Sequence, residues 1–189
     1  MKALVFLTDG FEETEALATA DILIRGGVKA CLVSLAGREA VTGSHEIRVV
    51  ADCLFEDFIS GKSEPAANPD MIVLPGGPGA QKFKENAQFM GFVKKWCEEG
   101  NKTAAICAAP TVLGSLGLLR GRRAVCYPGM EGMLAGAIYE GGRDVVTDGN
   151  ITTARGPAAA ISFGFALVEI LMGPQAAAEA KQKFLYQEG

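Results

Sequence analysis

Histidine is nearly absent from the sequence, which has one such residue, His45, among its 189. A metal site with two or three histidine ligands therefore cannot be assembled within one chain. Catalysis by a serine–histidine or cysteine–histidine pair would have to use His45 or a residue from a partner chain. This scarcity removes many hydrolase mechanisms from consideration.

The cysteines do not follow a metal-binding or disulfide pattern, since their number is odd, their spacing is wide and no C-x-x-C pair occurs. They are Cys31, Cys53, Cys97, Cys107 and Cys126. The pattern argues against a structural zinc site and a disulfide framework. We interpret Cys31 as a core residue of an apolar strand and Cys53 as a loop residue open to peripheral oxidation. Cys97 is expected to be packed on a helix.

Long apolar runs and excess positive charge are also missing. No segment reaches the roughly 18 uninterrupted apolar residues of a membrane helix, and the apolar start meets Asp9 too early for a secretory signal. The net charge of −4 argues against general binding to nucleic-acid phosphates. We expect a soluble cytoplasmic protein that binds neither membranes nor nucleic acid.

The composition is that of an ordinary globular domain, with 49% hydrophobic and 21% charged residues. The length fits one domain over residues 1–189. Short apolar runs alternate with helical ones, which predicts an α/β fold with a mostly parallel sheet. The predicted strands are 2–7, 28–35, 71–74, 103–106, 123–126, 145–147 and 151–153. The predicted helices are 14–25, 81–99, 110–119, 157–172 and 176–185, with a hairpin at 38–50 and a surface connection at 58–70.

The segment A-A-I-C-A-A-P at 104–110 carries the strongest chemical signal. A buried strand ends, Cys107 follows, and a helix begins at once. Ala105 and Ala109 stand where the nucleophile elbow G-x-S-x-G has glycines, and small residues suit its tight turn. At a helix N-terminus, unpaired N–H groups and the helix dipole would lower the thiol pKa. The alternative is that Cys107 is a small core residue.

The segment 74–79 (L-P-G-G-P-G) follows a buried strand at its carboxyl end, where open α/β sheets place their sites. Glycines there let backbone N–H groups approach a ligand or form an oxyanion hole. The segment matches neither G-x-G-x-x-G nor the phosphate loop, so a nucleotide site has little support. A simple tight turn is an equal alternative.

The segment 9–15 (D-G-F-E-E-T-E) follows the first predicted strand. Its glutamates could simply complement the dipole of the next helix. Glu15, however, heads a mostly apolar stripe that continues through Ala18 and Ile22. A carboxyl in an apolar pocket has a raised pKa. It could then donate a hydrogen bond to a thiolate or act as a general acid or base.

Together, these segments resemble the DJ-1/ThiJ/PfpI superfamily, and its DJ-1 branch most closely. The matching motifs are F-E-E-T-E at 11–15, L-P-G-G-P-G-A at 74–80, A-A-I-C-A-A-P at 104–110 and T-A-R-G-P-A at 153–158. The resemblance covers nearly the whole chain. It implies a flavodoxin-like three-layer sandwich with a nucleophile elbow, and a homodimer.

The resemblance also implies roles for individual residues. Cys107 would be the nucleophilic, oxidation-prone cysteine and Glu15 its protonated carboxyl partner. The backbone N–H groups of Gly77 and Ala108 would be the oxyanion-binding donors. The remaining pocket residues implied by the match are Gly76, Tyr127, Arg155 and Arg25.

The sequence departs from the family pattern at Tyr127, where DJ-1 members often carry a histidine. The protease-like branch has a histidine directly after the nucleophile, where this chain has Ala108. Related glutamine amidotransferases need a late histidine, and none follows His45. Peptidase and glutaminase hypotheses therefore lack a base. Cys126 stays a secondary candidate because it neighbours Tyr127.

The resemblance implies a glyoxalase or deglycase activity on methylglyoxal- and glyoxal-type dicarbonyls, without a metal or organic cofactor. The alternative is a redox sensor or protective protein whose Cys107 is oxidised to sulfinic acid, which Glu15 stabilises. The partner would then be an oxidant rather than a small reactive carbonyl. Both hypotheses need one reactive thiol.

Overall fold

A computed structural model describes residues 1–187 and has a seven-stranded central sheet in the order β10-β11-β7-β6-β1-β2-β5. The strands are β1 (Lys2–Leu7), β2 (Lys29–Ser34), β3 (Ala40–Thr42), β4 (Arg48–Val50), β5 (Cys53–Leu54), β6 (Met71–Leu74), β7 (Lys102–Ile106), β8 (Arg123–Ala124), β9 (Ile138–Tyr139), β10 (Val145–Asp148) and β11 (Ile151–Ala154). The helices are α1 (Glu13–Arg25), α2 (Phe55–Ile59), α3 (Ala80–Glu85), α4 (Ala87–Glu98), α5 (Pro110–Ser115), α6 (Ala160–Met172) and α7 (Pro174–Lys183).

The central sheet is mostly parallel. Its β10–β11 pair is antiparallel, and its other neighbours run in the same direction. Strands β3 and β4 form a separate antiparallel hairpin, and β8 pairs with β9 in a small sheet. Strand β6 is buried along its whole length, as expected for a parallel strand covered on both faces.

Helices cover both faces of the sheet, and β1 shows how the two layers are built. Ala3, Val5 and Leu7 face one core with α1 and α6, whereas Leu4 and Phe6 face the other with α3, α4 and α5. These alternating positions follow from the two-residue period of a strand. The predicted three-layer α/β sandwich is confirmed.

Helices α1 and α6 pack closely because glycine stands at their contact. A Cβ added to Gly164 would lie 2.9 Å from Cβ of Ile22. This approach holds α1, the helix that carries Glu15, against α6.

A cluster of aromatic side chains fills the opposite core. The ring centroid of Phe89 lies 5.0 Å from those of Phe6 and Phe83, and 5.4 Å from that of Phe55. The Phe6–Phe89 and Phe55–Phe89 pairs meet edge to face, the arrangement that aromatic quadrupoles favour. The rings anchor α4 to the sheet.

Several predicted boundaries were wrong. The helix predicted over 81–99 is broken at Asn86, whose side-chain oxygen accepts a hydrogen bond from Phe89 N and caps α4. The helix predicted over 110–119 ends at Ser115, and the strand predicted over 123–126 keeps two residues. The predicted strands also omitted β5 and β9, which have two residues each. Such short elements carry too little periodicity to detect.

Among residues 1–187, every helix is too short or too polar to cross a membrane.

We predict that Phe89→Ala lowers the free energy of unfolding by about 3–5 kcal/mol, because it empties the centre of the aromatic cluster. Urea denaturation measures the change. Gln88→Ala, at the exposed position next to Phe89 in α4, is the control and should change stability by less than about 0.5 kcal/mol. Equal effects of the two variants would contradict the assignment of this core.

Candidate active site

Three neighbouring parallel strands, β1, β6 and β7, end at one edge of the sheet and bring the three sequence motifs together. Glu15 follows β1, Gly76 and Gly77 follow β6, and Cys107 follows β7. Ligand sites of open α/β sheets lie at the carboxyl ends of the strands. The convergence of these segments identifies the candidate site.

Cys107 occupies a sharp strand-to-helix bend with a left-handed backbone, at φ +64°. Its N–H donates to the Ala154 carbonyl at 2.9 Å, and its carbonyl accepts from the Tyr127 N–H at 2.8 Å. These bonds hold a conformation that costs a non-glycine residue about 1–3 kcal/mol. The bend predicted from the sequence is present, and helix α5 begins three residues later, at Pro110.

Gly76 is the point at which the site is most crowded. A Cβ added there would lie 2.8 Å from Cβ of Cys107, 2.8 Å from Oε2 of Glu15 and 2.9 Å from the Ala108 nitrogen. Real Cβ atoms do not approach other atoms so closely. The absence of a side chain at Gly76 therefore lets the thiol, the carboxyl and the elbow amide share one small volume.

Glu15 is fully buried, and its Oε2 accepts a hydrogen bond from the Gly76 N–H at 2.8 Å. The Glu12 carboxylate caps the same helical turn by accepting from Glu15 N at 2.7 Å. Burial raises the pKa of Glu15 to about 7 and the nearby Glu12 charge adds to this, while hydrogen bonds from Cys107 and Gly76 oppose it. The carboxyl therefore titrates close to neutral pH.

The thiol of Cys107 is 7% exposed, and its pKa is raised to about 12. Burial is the main cause, and the charge and hydrogen bond of Glu15 add to it. The backbone N–H groups of Gly77 and Ala108 donate to the sulfur and lower its pKa, but they do not overcome burial. This direction is opposite to the lowered thiol pKa expected from the elbow sequence.

The thiol and the carboxyl titrate as a coupled pair. Above about pH 7 the pair holds one proton, which lies on Cys107, while Glu15 carries the charge. Helix α5 has six residues and starts beyond the elbow, so its dipole contributes little to the ionisation of Cys107. The arrangement provides a nucleophile with a base in direct contact.

A small cavity of about 200 Å³ adjoins the elbow at Tyr127, whose N–H is bonded to the Cys107 carbonyl, but neither Cys107 nor Glu15 lines it. It is lined by Tyr127, Pro128, Arg155, Gly156, Pro157, Ala158 and Ala159. Tyr127 is 47% exposed, and the Arg155 guanidinium is held by Asp144 at 2.9 Å. Cys126 is buried behind them, and its thiol donates to the Tyr127 carbonyl at 3.4 Å. Tyr127 and Arg155 thus share one cavity wall, whereas Cys126 is not part of the lining.

Arg25 does not reach this site within its own chain, so its assignment as a pocket residue stays a prediction. It lies at the last turn of α1, ten positions after Glu15, which is about 15 Å along a helix. There it pairs with Asp21 at 2.6 Å and lies over the Phe184 ring. Its sequence position matches the family pattern, but the helix carries it away from the thiol.

Glu13 is a positioning residue that the sequence analysis missed. Its buried carboxylate accepts hydrogen bonds from the hairpin, at 2.7 Å from His45 N, 2.8 Å from His45 Nδ1 and 3.1 Å from Ser44 Oγ. These bonds outweigh the opposing effect of burial and lower its pKa to about 2. The consecutive glutamates of F-E-E-T-E gave no indication that one of them would face the hairpin.

One group of side chains within residues 1–187 could hold a metal ion, namely Glu12, Glu13 and His45, whose ligand atoms lie within 4.8 Å of one another. Their oxygen atoms already accept hydrogen bonds from Glu15 N and from the hairpin. These contacts give the cluster a structural role in fixing the N-terminal turn of α1.

We predict that Glu15→Gln lowers the pKa of the Cys107 thiol, because it removes the charge and the acceptor that raise it. The thiolate absorbance in the ultraviolet, followed against pH, measures the change. Cys107→Ala supplies the background from the other cysteines. An unchanged or higher thiol pKa in Glu15→Gln would show that the two groups are not coupled.

We predict that Gly76→Ala separates Glu15 from Cys107 and destabilises the protein by about 1–3 kcal/mol through overpacking. The matched control is Gly91→Ala in α4, where an added Cβ meets no atom within 4 Å. That control should be neutral or stabilising, since alanine favours a helix. Urea denaturation compares the two, and similar stability of both variants would contradict the crowding at Gly76.

Comparison with known proteins agrees with this geometry. The sequence model of the DJ-1/PfpI family matches residues 1–170. The chain is 37% identical over 180 residues to Protein DJ-1 homolog B of Arabidopsis thaliana, covering 94% of this chain but 40% of that protein. It is 32% identical over 174 residues to the glutathione-independent glyoxalase DJR-1.2 of Caenorhabditis elegans, covering 92% of this chain and 90% of that one. The crystal structure of Drosophila melanogaster DJ-1beta matches with a TM-score of 0.91 at 34% identity, covering 99% and 98% of the two chains. The chain belongs to the DJ-1/PfpI family.

Proposed function

We propose that this protein is a cysteine-dependent glyoxalase that converts small dicarbonyls, such as methylglyoxal, to hydroxy acids without a cofactor. The observation that carries the proposal is that the fully buried Glu15 carboxyl and Cys107 meet at Gly76, each 2.8 Å from the point where a Cβ of that residue would stand, with two backbone amides directed at the sulfur. The name of the Caenorhabditis elegans relative supports the same reaction class.

In the first step, the Cys107 sulfur attacks the aldehyde carbon and forms a carbon–sulfur bond. Glu15 takes the thiol proton, for which its pKa of about 7 is well placed near neutral pH. The carbonyl oxygen gains negative charge, and the N–H groups of Gly77 and Ala108 stabilise it. Glu15 then passes the proton to this oxygen, which gives a hemithioacetal and leaves the carboxylate free to accept a proton in the next step.

In the second step, the hydrogen of the former aldehyde carbon leaves as a proton and returns to the adjacent carbon, with Glu15 as the carrier. This shift leaves a thioester on Cys107 and a hydroxyl on the adjacent carbon. Water then hydrolyses the thioester and restores the thiol. The net reaction adds one water to methylglyoxal and gives lactate, with no net oxidation or reduction.

The size of the cavity supports a small substrate. A volume of about 200 Å³ lies below the roughly 300–1,000 Å³ of pockets that hold drug-sized ligands. A dicarbonyl of a few atoms is small enough for this cavity, which adjoins the elbow at Tyr127 but is not lined by Cys107. Release of dicarbonyl adducts from other molecules, the deglycase form of the reaction, would place the larger partner outside the cavity.

The second candidate function is a redox sensor, in which an oxidant converts Cys107 to sulfinic acid. The observation that favours it is the position of the histidine: His45 is exposed and bound to Glu13, and Tyr127 stands beside the elbow. A sulfinate at Cys107 would accept a hydrogen bond from protonated Glu15. The protein would then turn dicarbonyls over slowly, while Cys107 would be oxidised readily.

We also propose that the protein acts as a cytoplasmic homodimer that binds neither nucleic acid nor membranes. Exposed apolar side chains on α1 and the β3–β4 hairpin, including Ile24 and Val50, support a self-contact. The negative net charge is consistent with the absence of nucleic-acid binding. Sedimentation equilibrium should give twice the chain mass.

We predict that Cys107→Ala abolishes dicarbonyl turnover and that Glu15→Gln reduces kcat by about 10²–10⁴-fold, the usual contribution of a general acid or base. The control is Cys97→Ala, whose thiol lies in α4 away from the site and should keep wild-type turnover. Steady-state kinetics with methylglyoxal measures the rates. Wild-type rates in Cys107→Ala would exclude the glyoxalase hypothesis.

Negligible turnover by the wild-type protein, with two oxygen atoms added to Cys107 by mild peroxide, would establish the redox-sensor hypothesis instead.

A further inference from the structure

Two other cysteines face each other at the opposite edge of the sheet. Strand β5 pairs with β2 so that Cys53 lies beside Val33, and Cys31 is two positions before Val33 on the same strand. Side chains two positions apart on a strand share a face. Cys31 and Cys53 therefore lie diagonally adjacent on one face, within the same core cluster.

The two side chains interact directly. A hydrogen bond and an electrostatic interaction with Cys53 help to raise the pKa of Cys31 to about 12, after burial, which is the main cause. Asp52, next to Cys53, contributes its charge and accepts a hydrogen bond from Leu32 N at 2.7 Å. The two sulfurs are thus each other's neighbours rather than separate core thiols.

Both thiols can be approached from solvent. Cys31 is 5% exposed and borders a groove of about 860 Å³, while Cys53 is 8% exposed and borders a cavity of about 350 Å³. Asp52 lines both depressions, which are therefore adjacent. A molecule as small as hydrogen peroxide can enter from either side.

The pair is separate from the candidate active site. Strand β5 lies four positions from β7 in the sheet order, which is roughly 19 Å at the usual strand spacing. Strand β5 is also an edge strand with two register pairs, Val33↔Cys53 and Ser34↔Leu54. So short an edge can shift towards β2 to meet the geometry that a disulfide requires.

We propose that Cys31 and Cys53 form a second redox site, a dithiol that hydrogen peroxide oxidises to an intrachain disulfide. The Cys53 sulfur attacks one peroxide oxygen, the oxygen–oxygen bond breaks, and Cys53 becomes a sulfenic acid with release of water. The Cys31 sulfur then attacks the Cys53 sulfur, a sulfur–sulfur bond forms, and a second water leaves. Overall, two thiols lose two electrons and two protons, and one peroxide becomes two waters.

The disulfide would fasten the edge strand covalently to the sheet. Its formation would also be reversible by thiol exchange, unlike the over-oxidation of a single cysteine to the sulfinic acid. The Cys31–Cys53 pair would therefore respond to peroxide independently of Cys107.

The test uses the full chain with Cys107→Ala, so that oxidation at the elbow cannot contribute to the mass. After treatment with hydrogen peroxide, we expect the intact mass to fall by two hydrogen atoms. Peptide mapping without reductant should find Cys31 joined to Cys53, and dithiothreitol should restore the original mass. Adding Cys97→Ala, which removes a buried thiol outside the pair, should leave this result unchanged.

Adding Cys31→Ala should abolish the disulfide and leave Cys53 as a sulfenic acid that dimedone captures. Adding Cys53→Ala should abolish the disulfide and the dimedone adduct of that residue, which covers the case in which one variant folds poorly. The proposal is overturned by a crosslink between chains, by sulfinic acid without a crosslink, or by an unchanged mass under conditions that oxidise the unfolded chain fully. None of these outcomes depends on the glyoxalase proposal, because Cys107 is absent.

Discussion

The buried hydrogen bond between the Gly76 N–H and the Glu15 carboxyl is the interaction on which the site depends. It fixes one carboxyl oxygen under the elbow, in surroundings that raise the pKa of the group to about 7. A glutamate in water would be ionised at that pH and a thiol would be neutral. Here burial raises the pKa of both groups, so that Glu15 ionises only near neutrality while Cys107 stays protonated, and the sulfur has a carboxylate base beside it.

Close backbone packing makes this contact possible. A Cβ added to Gly77 would lie 2.6 Å from the Gly10 carbonyl and 2.7 Å from the Glu12 nitrogen. The loops after β1 and β6 thus touch through their main chains, as the Glu12 N–H bond to the Gly76 carbonyl at 3.1 Å shows. The loop after β7 adds Cys107 in a left-handed conformation. Hydrogen bonds to β11 and to Tyr127 stabilise the strained backbone conformation of Cys107.

Features of the fold and the site that depend on one strand or one turn could be predicted from the sequence. The end of β7, the small residues of the elbow and the apolar stripe behind Glu15 are local patterns, and they located Cys107, Gly76 and Glu15 correctly in the fold. The direction of the thiol pKa depends on burial by residues distant in the chain, and a local pattern carries no information on it. The distance between Arg25 and the site within one chain could not be predicted for a similar reason, since a motif match does not say which end of a helix meets the site.

Burial moves the pKa of the Glu15 carboxyl far above the range of an ordinary glutamate. Carbon NMR of side-chain-labelled glutamate, followed against pH and assigned by the resonance lost in Glu15→Gln, measures this directly. One carboxyl should titrate with a midpoint near pH 7, where Glu15 loses its proton while Cys107 keeps its own. A midpoint for Glu15 at the ordinary value of 4.5 would contradict it, because the carboxyl would then be solvated rather than buried against the thiol.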